Sequence, residues 1–200
     1  MNYFELYGLQ RSGTTWLKSL LELNFDCSEL NSYHKHTLDP KSFSYPTCVI
    51  FKSPYTWVES IVYREPADLP VRFPKILEPG NFMIDNSYGE CNINLENLVD
   101  LYCSFYDNHS SVADYTFIYE TLLDDIDLQI KAGENLDLIR KDQEWLEPPL
   151  GGFMQEAFTK DMYPYYKAQK PEKLSNCHIE IINNLIPKDF WLQTNLKYCS

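Results

Sequence analysis

The sequence is short of positive charge: its 200 residues carry 29 Asp and Glu against 17 Lys and Arg, a formal net charge of -12. A nucleic-acid backbone or an anionic membrane needs a basic face, so neither partner suits this chain, and any anionic ligand has to be met by cations gathered locally. Long apolar runs are missing too, and nowhere do the ~18 consecutive apolar residues of a membrane span occur. The opening "NYFELYGL" holds neither a basic segment nor a cleavable apolar one, so a soluble, cytoplasmic protein is expected. The six cysteines, at 27, 48, 91, 103, 177 and 199, include no CxxC pair, and a chain of this size needs no covalent staples, so free thiols are expected. No internal repeat or low-complexity linker divides the chain, and 44% hydrophobic residues suffice for one core, which predicts a single domain over 1–200.

What is present alternates between two periodicities. Residues 2–8 read as a buried strand, and "TTWLKSLLELN", 14–24, puts Trp16, Leu17, Leu20 and Leu21 on one helical face. "TCVIFK", 47–52, predicts a second strand, and Pro54 suits the first turn of a helix carrying Trp57, Val58, Ile61 and Val62. Residues 64–93 are rich in Pro, Gly and Asn and read as a long surface loop whose Phe73, Phe82 and Tyr88 help to shape a pocket. Residues 94–112 predict a helix with Leu98, Leu101 and Phe105 inward, and "YTFIYE", 115–120, a third strand. After that, "ETLLDDIDLQIKA" and "ENLDLIRKDQEWL" suggest two short helical pieces, and 174–186 a late helix. Strands alternating with helices imply a three-layer α/β/α domain around a mainly parallel sheet.

Between the first strand and the first helix stands "GLQRSGTT", 8–15. Gly8 and Gly13 have the spacing of a loop that cradles phosphate with backbone N–H groups and a helix N-terminus. A nucleotide triphosphatase would end this loop in Lys and Ser/Thr, the first reaching the β and γ phosphates and the second holding magnesium; here Thr14 and Thr15 stand in those places. The cation has moved into the loop as Arg11, with Ser12, Thr14 and Thr15 adding hydroxyl donors. That set suits one 5′-phosphate with a transferable group, and it demands no metal.

"LQRSGTTWLKSLL" resembles the 5′-phosphosulfate loop of the cytosolic-type sulfotransferases, whose donor is 3′-phosphoadenosine 5′-phosphosulfate (PAPS). The resemblance implies the P-loop-type sulfotransferase fold, with Arg11 at the family's loop lysine, Ser12, Gly13, Thr14 and Thr15 around the 5′-phosphosulfate, and Trp16 against adenine. "VIFKSPYTWVES", 49–60, is similar to the family's 3′-phosphate segment, in which an Arg ends a strand and a Ser follows eight residues on; Lys52 and Ser60 keep that spacing. Lys52 for Arg loses the planar bidentate fork, and Thr56 replaces an Asp often found there. "FIYETLL", 117–123, resembles a third stretch that would bring Tyr119 near adenine, with Glu120 structural. The family's Arg-Lys-Gly grip on the 3′-phosphate is not visible, although "YYKAQKPEK", 165–173, offers Lys167 or Lys170 if it is not a solvated basic loop.

Transfer of a sulfuryl group needs a proton acceptor for the attacking hydroxyl, and His serves near neutral pH. "SYHKHTLDP", 32–40, resembles the family's Lys-His catalytic segment, making His36 the first candidate base and His34 the second, with Lys35 and Arg11 as local charge. Glu22 on the first helix is the reserve, since related enzymes use a Glu there. Lys18 reads as solvated, and His109 and His178 as ordinary helix residues. The expected reaction is PAPS-dependent transfer to a hydroxyl or amine of a small-molecule or carbohydrate acceptor. The alternatives are a small P-loop kinase and a degenerate member that binds nucleotide without turnover.

Overall fold

The computed structural model describes residues 2–30, 35–38, 44–62, 75–78, 81–86, 89–148 and 163–199, with backbone alone over the portions of 75–93. It contains four parallel strands, β1 (Asn2–Tyr7), β2 (Cys27–Glu29), β3 (Thr47–Phe51) and β7 (Tyr115–Ile118), in the order β2-β1-β3-β7. Leu6 pairs with Cys48 and Ile50 with Phe117, so the pleat sends these side chains to one face and Tyr7, Val49, Phe51 and Ile118 to the other.

Each face is covered. On the Leu6 face lie α1 (Thr14–Asn24), with Leu17, Leu20 and Leu21 wholly buried, α5 (Ile126–Asn135) and α6 (Tyr163–Ala168). Burial of each such leucine is worth roughly 1.5–3 kcal/mol, and their helical spacing is what directs α1 onto the sheet. The Tyr7 face packs α2 (Pro54–Val62), α3 (Leu95–Ser110), α7 (Asn176–Leu185) and α8 (Lys188–Thr194) through Trp57, Val58, Tyr102, Phe105, Ile182 and Phe190. The chain is thus of the α/β class, with helices on both faces of an all-parallel sheet.

The helix ends follow from local chemistry. Asn94 caps α3 by accepting from the N–H groups of Glu96 and Asn97, and Ser175 and His178 form a reciprocal capping box at α7. Cys27, Cys48, Cys103, Cys177 and Cys199 are free thiols. Among the described residues, no helix is long and apolar enough to cross a membrane.

Several expectations need correction. The stretch 64–93 contains a three-stranded antiparallel meander, β4 (Lys75–Glu78), β5 (Asn81–Asn86) and β6 (Gly89–Asn94): its polar, Pro- and Gly-bearing sequence hides pairing that comes from hairpin backbone bonds. Leu101 faces out of α3, while Leu98 and Phe105 face in. The helical turn α4 (Tyr119–Leu122) follows β7 at once, and the second suggested piece after α5 is irregular because Lys141 and Leu146 N–H groups bond back to Asn24 instead. Lys18 is not simply solvated either. It lies 3.1 Å from Glu29, whose side chain is fully buried at the end of β2.

Candidate active site

The chain leaves β1 through α1 to β2 on one side, and then resumes at β3 on the other side of β1. Loops at the carboxyl ends of strands around such a reversal form the usual ligand crevice of open α/β sheets. The loop 8–13 follows β1, Lys52 follows β3, and Tyr119 follows β7, so the sequence-predicted residues share this edge.

The loop is bent by two left-handed residues, Arg11 (φ 69) and Gly13 (φ 100). The Ser12 N–H bonds the Leu9 carbonyl at 3.0 Å, and the Trp57 indole N–H bonds the Gln10 carbonyl at 2.9 Å, tying the turn to α2. Gly13 is the residue at the head of α1; among the described residues no side chain caps that end, and the first turn holds no acid. The amino end of α1 therefore keeps its partial positive charge and its outward N–H groups. Ser12 Oγ is buried beside them and has no hydrogen-bond partner among the described residues. A Cβ on Gly13 would stand 2.3 Å from the Tyr119 ring, and that ring meets Trp16 edge-on with centroids 5.5 Å apart. Trp16 is half-buried, and its buried indole N–H has no acceptor among the described residues.

Lys52 and Ser60 come together, the ammonium donating to Ser60 Oγ at 2.8 Å while that hydroxyl donates to the Thr56 carbonyl at 2.6 Å. Lys52 is only 2% exposed and sits 4.0 Å over the Tyr166 ring and 5.6 Å from that of Tyr119. Tyr102 donates to the Lys52 carbonyl. Glu120 is structural in the sense expected: one carboxylate oxygen accepts from the Ser53 N–H and the Thr56 hydroxyl, each at 2.9 Å, pinning the end of β7 to the start of α2. Burial pushes its carboxyl above the ordinary carboxylate range, with Lys52 and these hydrogen bonds pulling the other way.

The candidate bases separate. His36 Nδ1 lies 2.6 Å from the Gly8 carbonyl, and the Gly8 N–H donates to the Lys35 carbonyl at 3.0 Å, so the 35–36 segment grips the first residue of the loop through both its backbone groups. A carbonyl only accepts, so Nδ1 carries the hydrogen and Nε2 holds the lone pair. Loss of water around the ring lowers the His36 pKa below the usual imidazole value; the Gly8 bond opposes this, Lys35 reinforces it, and Glu29 opposes it. Glu22 is occupied otherwise, accepting the Glu29 N–H at 3.0 Å. His34, and the side chains of Phe73, Phe82 and Tyr88, lie outside the described residues.

Protein-family models, curated proteins and solved structures offer no match to this chain. What the site can do follows from its geometry.

Three residues of consequence escape a reading of the sequence. Lys167 and Lys170 are exposed, Lys167 lying 3.7 Å from Asp124, yet their segment does reach Lys52, through the Tyr166 ring. Glu59 clasps that segment: one oxygen accepts from the Tyr165 hydroxyl at 2.9 Å, the other from the N–H groups of Glu172 and Lys173 at 2.8 and 3.0 Å. Glu29 supplies the acid that Lys18 meets. No local spacing announces these contacts, because each spans distant parts of the chain or depends on a buried acid.

Proposed function

We propose that this chain is a sulfotransferase of the PAPS-dependent type, moving a sulfuryl group to a hydroxyl or amine of a small-molecule or carbohydrate acceptor. The observation that carries this reading is the meeting, at the carboxyl ends of neighbouring strands β1 and β3, of an uncapped glycine loop with the Lys52–Ser60 pair. Two anion-seeking groups on one edge suit a nucleotide phosphorylated at two ends of its ribose. A magnesium triphosphate would lack its loop lysine, since Thr14 stands there.

In this mechanism the α1 N-terminal amides, Arg11, Ser12, Thr14 and Thr15 hold the 5′-phosphosulfate, and Trp16 and Tyr119 border the adenine side. Lys52 and Ser60 receive the 3′-phosphate. His36 Nε2 takes the acceptor proton as the acceptor oxygen bonds to sulfur. The bond from sulfur to the bridging phosphate oxygen breaks on the opposite side, and adenosine 3′,5′-bisphosphate leaves with the charge that Arg11 and the loop amides stabilise, Lys35 adding local positive charge. His36 is neutral at pH 7 by the direction of its pKa, as a base must be.

The test is thermal melting with adenosine 3′,5′-bisphosphate and no magnesium. Ligand at ~100-fold over its dissociation constant adds about 2.7 kcal/mol, or roughly 5 to 10 °C for a chain of this size. A larger shift with magnesium ATP would replace this reading by a kinase, and binding of the bisphosphate without its release from PAPS across an acceptor panel would leave a nucleotide-binding protein.

A further inference from the structure

We propose that Tyr166 positions the Lys52 ammonium for a ribose 3′-phosphate and thereby sets the preference for a 3′-phosphorylated donor. This rests on the sulfotransferase reading above and adds a residue to it.

Lysine at this position poses a mechanical problem. An ammonium on a four-carbon stem has no planar fork to fix its direction, and its rotamers must be restrained before it can read one phosphate in preference to another. Here the restraint comes from its surroundings: the Ser60 hydroxyl at 2.8 Å, the Tyr166 ring at 4.0 Å and the Tyr119 ring at 5.6 Å. The nearer ring makes the tighter contact, in a place where Lys52 is 2% and Tyr166 1% exposed. A π-face attracts a cation without neutralising it, so the ring steers the ammonium while adding no negative charge to that already felt from Glu120, whereas a further carboxylate in the same place would cancel it.

The ring is itself held. Tyr165, its neighbour on α6, donates to Glu59, and the same carboxylate accepts from the amides of Glu172 and Lys173. Glu59 directly precedes Ser60 on α2, so one side chain fastens the 165–173 segment to the helical turn that supplies the hydroxyl. Ring and hydroxyl are thus fixed relative to each other by a single clasp, and the ammonium is held between them by its bond to Ser60 and its contact with the ring.

The experiment compares binding of adenosine 3′,5′-bisphosphate and adenosine 5′-phosphate by calorimetry, taking the ratio of their affinities for the full chain and its variants. Tyr166→Phe keeps the ring and should keep the ratio. Tyr166→Leu removes the cation–π contact and should reduce the ratio about 3- to 30-fold while the 5′-phosphate affinity changes little. Equal losses for both ligands, an unchanged ratio, or a loss in Tyr166→Phe as large as in Tyr166→Leu would overturn the proposal. If Tyr166→Leu does not fold, Tyr165→Phe takes its place, because it loosens only the clasp; a reduced ratio supports the proposal and an unchanged one overturns it. A wild-type chain with no preference for the bisphosphate would instead remove the donor reading itself, and that result is visible before any variant is made.

Discussion

Replacing Gly13 by alanine should cost this protein a large part of its stability, for two separable reasons. The residue has φ 100, a backbone conformation that an L side chain adopts at a cost of roughly 1–2 kcal/mol. The added methyl would also lie 2.3 and 2.8 Å from two carbons of the Tyr119 ring. That ring cannot easily step aside, since it is 5% exposed and meets Trp16 and Tyr166 edge-on, at 5.5 and 5.6 Å between centroids. Overpacking of this kind adds roughly 1–3 kcal/mol, giving about 2–5 kcal/mol in all against a typical total of ~5–15 kcal/mol. Urea unfolding followed by circular dichroism would measure it. A double-mutant cycle with Tyr119→Ala should recover only the steric part, so the double variant should be about 1–3 kcal/mol more stable than the sum of the single losses predicts. Gly13→Ala within ~0.5 kcal/mol of wild type, the range of ordinary surface changes, would show that neither reason operates. A cycle with no coupling would show that the ring does not wall the loop.

His36→Ala should lower turnover by about 10²–10⁴ and affinity for adenosine 3′,5′-bisphosphate by no more than about tenfold, the latter through loss of the ring's hydrogen bond to Gly8; full activity in this variant would move the base elsewhere. Acidification should weaken the fold through His109 and His178, whose pKa values burial holds below the ordinary 6.5. The folded chain binds fewer protons than the unfolded one in that window, so this stability is complete above pH 6.5 and lost as pH falls toward the folded values. Protonation would also remove the lone pair with which His178 Nδ1 accepts the Ser175 N–H. Urea midpoints at pH 7.5 and 5.5 should therefore differ less in a His109→Phe, His178→Gln double variant than in wild type, and an unchanged difference would refute the assignment.

The legible parts of the fold were those decided locally. In β1, α1, β3 and α2 the apolar spacing, the loop glycines and Pro54 all point the same way, and the elements run Asn2–Tyr7, Thr14–Asn24, Thr47–Phe51 and Pro54–Val62. β2, with three residues, is too short to show a period, and it exists because its backbone pairs with Asn2 to Phe4. The meander of β4 to β6 is likewise made by cross-strand hydrogen bonds that tolerate almost any side chain. At the candidate site, motif spacing singled out Arg11, Lys52 and Ser60, because these residues lie in the turn after a strand or on the helix that continues from it, whereas His36 was singled out by the resemblance of the 32–40 segment. Tyr166 and Glu59 were invisible for the opposite reason: their partners are supplied by segments about a hundred residues away, and only packing unites them.

The double grip on Gly8 makes the imidazole part of the loop's own framework. Both backbone groups of Gly8 are bonded to adjacent residues, its N–H to Lys35 and its carbonyl to His36, so a displacement of the loop carries the ring with it. A ligand that stills the loop narrows the range of positions open to Nε2, and a ligand that engages Nε2 narrows those open to the loop. Linkage makes the two effects equal in free energy. Donor and acceptor should accordingly bind with mutual reinforcement, each raising the other's affinity by one common factor, although they need share no contact.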